Sequence, residues 1–237
     1  MGSISEIDFS PRVALTSFAN YEAAGAAYRD RAKPMAAISP AVQNLADTLT
    51  IGIPDKRAQA EAIYHWVSRN VRYVAIFLEY GGVVPHSAQD VLDAKFGDCK
   101  DHTVLYEALL AAKGIKSSLV LVNADSSYWL PKVAITPGVF NHAISYLPDF
   151  DLYVDTTAGL AMFGTLPFTE QGKPALVVGD GFAQARLVTL PNSSPDSDRV
   201  ITRIAIKLQQ DGTVSGASHI DSKGGGVALL ARQVFVS

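Results

Sequence analysis

Two textures divide the chain. Up to Gly114 the apolar residues recur at helical spacing, and beyond it they gather into short or alternating runs separated by Pro, Gly and Asp. Phe18, Tyr21, Ala24 and Tyr28 predict an amphipathic helix over 16–32, which Lys33-Pro34 ends. Ser39-Pro40 supplies a cap and a first-turn proline for a second helix reaching about Leu49, with Val42, Leu45, Ala46 and Leu49 on one side. Ala58, Ala62, Ile63, Trp66 and Val67 give a third apolar face over 55–70, and the β-branched and aromatic residues of 71–78 predict a strand.

After the Gly81-Gly82 and Pro85 loop, Ser87-Ala88-Gln89-Asp90 starts a short helix with a serine cap and an acid three residues later. It stops near Lys95, and Phe96-Gly97-Asp98 turns the chain into a further helix that runs to Lys113 and closes on Gly114. Val104, Leu105, Ala108, Leu109 and Ala112 form two adjacent apolar rows on that helix, too broad for a surface element, so it is expected at the centre of the fold.

The runs 118–123, 141–147, 151–154, 175–178 and 185–190 predict an antiparallel sheet packed on that helix. A Ser/Pro/Asp linker follows at 192–198. Strands are then expected at 201–208, 213–220 and 227–236, a set too small to close a core alone. The expected class is α+β, divided into an N-terminal helical flank (1–54), a central domain (55–191), and a linker with a partial β appendage (192–237).

Composition narrows the function more by exclusion than by suggestion. With 48% hydrophobic and 18% charged residues, 237 residues suffice for one large core or one core plus a smaller appendage. Twenty basic against 23 acidic residues give a net charge of −3 with no block of like charges, so the electrostatic footprint of a nucleic-acid binder is missing. No apolar run approaches the roughly 20 residues that span a bilayer. The N-terminus lacks the basic-then-apolar pattern of a signal peptide, and Met1-Gly2-Ser3 resembles a cloning scar, so compartment has no signal here. A single cysteine excludes an internal disulfide and a cysteine-based zinc cage, and no cofactor or metal is expected.

That cysteine, Cys99, stands in Gly97-Asp98-Cys99-Lys100-Asp101 at the first turn of the central helix. A lone cysteine is more often a small core residue than a nucleophile. Its polar neighbours, with His102 a turn later, are an unusual setting for a space-filling thiol, and a helix N-terminus favours thiolate over thiol.

Thiol catalysis needs a base that holds and returns the proton, and a third group that orients the imidazole. Of five histidines, His65 sits in an amphipathic helix, His86 in a Pro-containing loop and His219 in the tail, each more simply a surface or packing residue. His102 shares a helix face with Cys99 but is tied to the same backbone, and is expected to face solvent or cap local backbone. His142 opens an alternating run, and Asp155 ends a second run that pairs with the first through a Pro148-Asp149 turn, which brings Asp155 beside His142. The bland alternative is that both are polar edge-strand residues.

Gly97-Asp98-Cys99-Lys100-Asp101, Phe140-Asn141-His142 and Val154-Asp155-Thr156-Thr157, in that order, resemble the cysteine, histidine and aspartate boxes of the bacterial transglutaminase-like superfamily, which has a papain-like cysteine-peptidase core. The resemblance covers about 55–180 and includes Val71-Arg72-Tyr73, Pro85, Val91-Leu92, Leu166-Pro167 and Leu176-Val177. It implies that Cys99 is the nucleophile, His142 the base and acid, and Asp155 the orienting carboxylate. For the oxyanion stabiliser it leaves Gln89, Tyr80 and the backbone N–H of Cys99 open. It also implies a bacterial periplasm or cell envelope, with the catalytic domain set between two β domains in a larger protein.

Three functions follow from that pattern. The first is an acyl-transfer enzyme working through a thioester, with water as acceptor and a protein or peptide as substrate. The second is a transglutaminase or amide synthase with an amine acceptor, and the third is a non-catalytic binding or scaffold module. Hydrolysis is favoured because excluding water takes a covered tunnel, and the Gly81-Gly82 loop offers no bulky lid. Oligomeric state carries no sequence signal.

Overall fold

The computed structural model describes residues 13, 15–75, 82–125, 127–135, 139–159, 161–179 and 184–225. Five α-helices among them are α1 (Tyr21–Ala32), α2 (Pro40–Leu49), α3 (Lys56–Asn70), α4 (Ala88–Ala94) and α5 (Cys99–Ala112). Each begins at a residue whose short side chain accepts a hydrogen bond from a first-turn N–H: Asn20, Ser39, Asp55, Ser87 and Asp98. The first helix is shorter than its apolar spacing predicts. Asn20 caps it at Ala23, and the preceding Thr16 instead bonds the Ala134 carbonyl at 2.7 Å, tying that segment to a distant loop.

Behind Gly114 the chain forms one antiparallel sheet in the order β5-β4-β3-β6-β7. Its strands are β3 (Ser118–Val122), β4 (His142–Leu147), β5 (Leu152–Val154), β6 (Pro174–Val177) and β7 (Arg186–Thr189). Of the strand expected over 71–78, the described residues carry β1 (Arg72–Tyr73), which pairs in parallel with β2 (Phe96–Gly97) outside that sheet, and 76–81 lie outside the described residues.

The pleat sorts the sheet's side chains into two faces. Val120, Val122, Ile144, Tyr146, Ala175 and Val177 share one cluster with Leu166 and Leu190. Leu119, Ala143 and Leu176 point the other way, toward Tyr21 of α1, with Tyr28 and Cys99 packed at the margin. Gly25 permits this approach of α1, since a Cβ there would lie 2.7 Å from the Ala185 Cβ.

The third cluster is the helical core, in which α5 is surrounded. Val104, Leu105, Tyr106, Ala108, Leu109 and Leu110 are all fully buried, among residues of α2, α3 and α4 and beneath Leu147 and Val154 of the sheet. The broad apolar surface of α5 is thereby consumed on all sides, and its N-terminus, with Cys99, is delivered to the margin between helices and sheet.

The appendage is a separate two-stranded hairpin, β8 (Arg199–Leu208) and β9 (Val214–Lys223), joined through Asp211-Gly212. Its residues are exposed almost throughout, Ile204, Ile206 and Leu208 among them. The strand expected at 227–236 lies outside the described residues.

Candidate active site

Cys99 is the first residue of α5 and is half-buried. Its place is fixed by a reciprocal cap. Asp98 accepts from the N–H groups of Lys100 and Asp101, while Asp101 accepts from the N–H of Asp98 at 3.2 Å. Gly97 is required for this closure, because a Cβ there would stand 2.6 Å from the Asp101 Cβ. The buried Asp101 also accepts from the His86 N–H at 2.8 Å and contacts His86 Nδ1 at 3.0 Å, so one carboxylate ties the helix start to the preceding loop. Lys100 is buried and paired with Asp98. Among the described residues, no hydrogen bond takes up the N–H of Cys99.

His142 is the first residue of β4, and Asp155 lies one residue past the end of β5. Ser145 pairs with Val154, so continuing the register sets Asp155 opposite Ile144, a diagonal neighbour of His142 on the sheet. The contact is direct: His142 Nε2 lies 3.2 Å from Asp155 Oδ2. Asp155 is held in turn by the N–H of Thr157 at 2.8 Å and its hydroxyl at 2.7 Å, both donated to Oδ1. The Cys99 thiol lies close enough to the His142 ring for its charge to raise the imidazole pKa. Nε2 is turned to the carboxylate.

The electrostatics follow from this sandwich. Burial alone would lower the pKa of His142, but the Asp155 carboxylate and then Cys99 outweigh it and hold the imidazole well above its usual value. Burial alone would raise Asp155, and the pull of His142 with the two Thr157 bonds brings it below the ordinary carboxylate range. The favoured state of the pair is therefore imidazolium beside carboxylate.

A fourth side chain reaches this cluster. Glu170, 2% exposed, comes from a turn beyond the sequence boxes, and its Oε1 lies 3.7 Å from His142 Nε2. The ligand-type atoms of His142, Asp155 and Glu170 all lie within 4.8 Å of one another. These are residue types found in metal cages, but the short His142–Asp155 contact is a hydrogen bond, and a cation there must displace its proton.

The other sequence candidates fare differently. Gln89 has both ends of its amide occupied, the oxygen by the Ser39 hydroxyl and the nitrogen by Asp93 at 2.8 Å, so neither reaches a substrate oxygen without breaking a bond. Tyr80 lies outside the described residues. His102 corrects the expectation of a solvent-facing or capping side chain. It is 1% exposed, with its ring 6.1 Å from that of Tyr73, and only a marginal contact with the Thr156 backbone relieves its nitrogens. Burial lowers its pKa, which makes it a neutral core residue. The cause is α5 itself, whose enclosure on all sides leaves no wet face one turn after Cys99.

Two phenols escaped the sequence reading. Burial and then the proximity of Cys99 raise the pKa of Tyr28, and the same causes push Tyr73 up to about 12. Both remain protonated donors beside the thiol. Tyr73, in register with Gly97 and 46% exposed, is the one a substrate can meet. Its box, Val71-Arg72-Tyr73, was the available signal.

Known proteins support the same frame. Residues 43–143 match the model of the transglutaminase-like superfamily, a stretch that ends one residue past His142 and leaves Asp155 and Glu170 beyond it. No curated protein matches the chain. Among solved structures, a candidate protease from Parabacteroides distasonis is similar with a TM-score of 0.58 at 16% identity, over 81% of this chain and 37% of that one. A candidate cysteine protease from Cytophaga hutchinsonii is matched at 19% identity over 82% of this chain and 56% of that one, with a TM-score of 0.39. The chain thus spans less than two thirds of either protein. The fold is the papain-like, transglutaminase-like arrangement of a helix with its N-terminal cysteine against an antiparallel sheet, and residues 43–143 are similar to the transglutaminase-like superfamily.

Proposed function

We propose that the protein is a cysteine-dependent acyl-transfer enzyme that hydrolyses amide bonds of a protein or peptide substrate, with Cys99 as nucleophile, His142 as acid and base, and Asp155 as orienting carboxylate. The observation that carries this is the His142 ring, bonded to Asp155 at 3.2 Å and close enough to Cys99, at the start of the central helix, to be raised in pKa by it.

With the thiol proton transferred to His142, the sulfur attacks the amide carbonyl carbon, forming a C–S bond as the carbonyl π pair moves to oxygen. The Cys99 N–H and the Tyr73 hydroxyl are the donors at hand for that oxyanion. Collapse breaks the C–N bond, and His142 gives its proton to the leaving amine, leaving a thioester on Cys99. Water then attacks the thioester, His142 takes its proton, and the carboxylic acid leaves as the Cys99–His142 pair is restored. Asp155 stays ionised throughout and holds the ring.

Incubation with an unbiased peptide library and a primary amine, followed by mass spectrometry of protein and peptides, tests the assignment. Hydrolysis yields new peptide termini and a transient acyl mass on Cys99. Amine-adducted products would instead make the enzyme a transamidase, and neither product nor adduct would leave a binding module.

A further inference from the structure

Glu170 is the buried titratable group that this mechanism does not use. It sits in a turn whose shape is imposed by its neighbours. Its N–H donates to the Pro167 carbonyl at 3.0 Å, Gln171 Nε2 donates to the Leu166 carbonyl at 2.9 Å, and the left-handed Gly172 donates to the Leu190 carbonyl at 3.2 Å. The turn belongs to the sheet face that Ile144 and Tyr146 share with Leu166, and by pleat parity that is also the face of His142. From that turn Glu170 reaches the ring and carboxylate.

A buried carboxylate in that place has poor company. The Glu170 side chain is 2% exposed, its Oε1 stands 3.7 Å from His142 Nε2, and its Oε2 is buried with no donor to bond. The nearby cation, Lys173, is engaged elsewhere: its ammonium is held by the backbone carbonyls of Asn123 and Asp125 and lies 4.6 Å from the centre of the Tyr128 ring. The Tyr64 hydroxyl donates to the Ala161 carbonyl at 3.1 Å, which directs its proton away from the cluster. His142 Nε2 is engaged with Asp155. Two ionised carboxyls side by side offer each other only acceptors, and a single proton between them turns that repulsion into a hydrogen bond.

We infer that Glu170 is a positioning residue: held as a neutral carboxylic acid, it donates a hydrogen bond to Asp155 and so fixes the carboxylate that orients His142. Burial first and the Asp155 charge second raise the pKa of Glu170 to about 9, against the opposing charges of His142 and then Lys173. The site is then a relay of four side chains, Glu170 to Asp155 to His142 to Cys99, in which Glu170 acts only through Asp155. This inference rests on the assignment of Cys99, His142 and Asp155 above.

The full chain with 15N-labelled histidine tests it. In the wild type, the His142 ring signals follow a second titration on the alkaline side as Glu170 ionises, and in Glu170→Gln that step disappears because the amide donates permanently and never titrates. Alkylation of Cys99 by iodoacetamide at pH 6 slows about tenfold in Glu170→Met, which has no donor, and Glu170→Gln recovers most of that loss. A single-step titration in the wild type, equal loss in Gln and Met, or a silent Met variant overturns the assignment. So does a metal ion that copurifies with the wild type and is lost from Glu170→Gln. If Glu170→Met fails to fold, the comparison of wild type with Gln decides alone. A wild-type thiol inert at pH 6 would instead defeat the nucleophile assignment, while the His142 titration still reports on Glu170.

Discussion

His142 and Asp155, thirteen residues apart in sequence, meet at 3.2 Å between Nε2 and Oδ2 because one begins a strand and the other lies just past the end of its antiparallel neighbour. The tight turn at Pro148–Phe150, closed by Asp151 in a left-handed conformation, sets that register. The contact commits Nε2 to the carboxylate.

Asp155→Asn tests whether this contact orients the ring or only packs. The amide is the same size but can present N–H to His142 and cannot stabilise an imidazolium. The corresponding change in a serine protease triad costs about 10⁴ in turnover. A thiolate–imidazolium pair is partly formed before substrate binds, so the expected loss here is on the order of 10 to 10³, read as slower alkylation of Cys99 at pH 6 in a folded protein. Unchanged alkylation would reduce the site to a Cys99–His142 dyad.

Stability should fall as pH rises above neutrality. His142 has a raised pKa in the fold, so its contribution is complete below the unfolded value of about 6.5 and is lost as pH rises through the folded one. Glu170, also raised, keeps a proton that the unfolded chain releases at about pH 4.3, and it destabilises progressively above that. Asp155, depressed, acts in the opposite sense, stabilising above its unfolded value and losing that as pH falls through its folded one. Thermal melts from pH 6 to 9 should show a fall in Tm that is smaller in Glu170→Gln than in the wild type. Parallel curves for the two proteins would mean that Glu170 is not protonated in the fold.

His102 and His142 separate structure from chemistry. His102→Ala opens a cavity beside α5 and should lower the midpoint of denaturant unfolding while alkylation of Cys99 persists. His142→Ala should do the reverse, abolishing the fast alkylation at pH 6 with the smaller change in stability. Equal loss of thiol reactivity in both would make His102 the base.

The fold was legible where local chemistry decides it. The five helix starts carry their caps in the sequence at Asn20, Ser39, Asp55, Ser87 and Asp98, although the broader 16–32 spacing obscured the first. The alternating run from His142 placed a histidine at a strand start, which the hairpin then brought to Asp155. Glu170 was not legible, because it lies in a turn with no periodicity, and only the folding of that turn over one sheet face brings it to His142. His102 was misread for a related reason. Its polarity suggested solvent, and burial of a neutral imidazole on α5 became apparent only once the sheet and Thr156 closed over that turn.

The most direct measurement is the rate of Cys99 alkylation by iodoacetamide between pH 5 and 9, followed by intact mass in the wild type and in His142→Ala. An ordinary thiol with a pKa of about 8.5 reacts hardly at all at pH 6. A thiolate paired with His142 predicts fast alkylation of the wild type at pH 6 that His142→Ala abolishes, leaving a rate that climbs only toward pH 9. A wild-type profile that already climbs like an ordinary thiol, unaltered by His142→Ala, would contradict the assignment of Cys99 as an activated nucleophile.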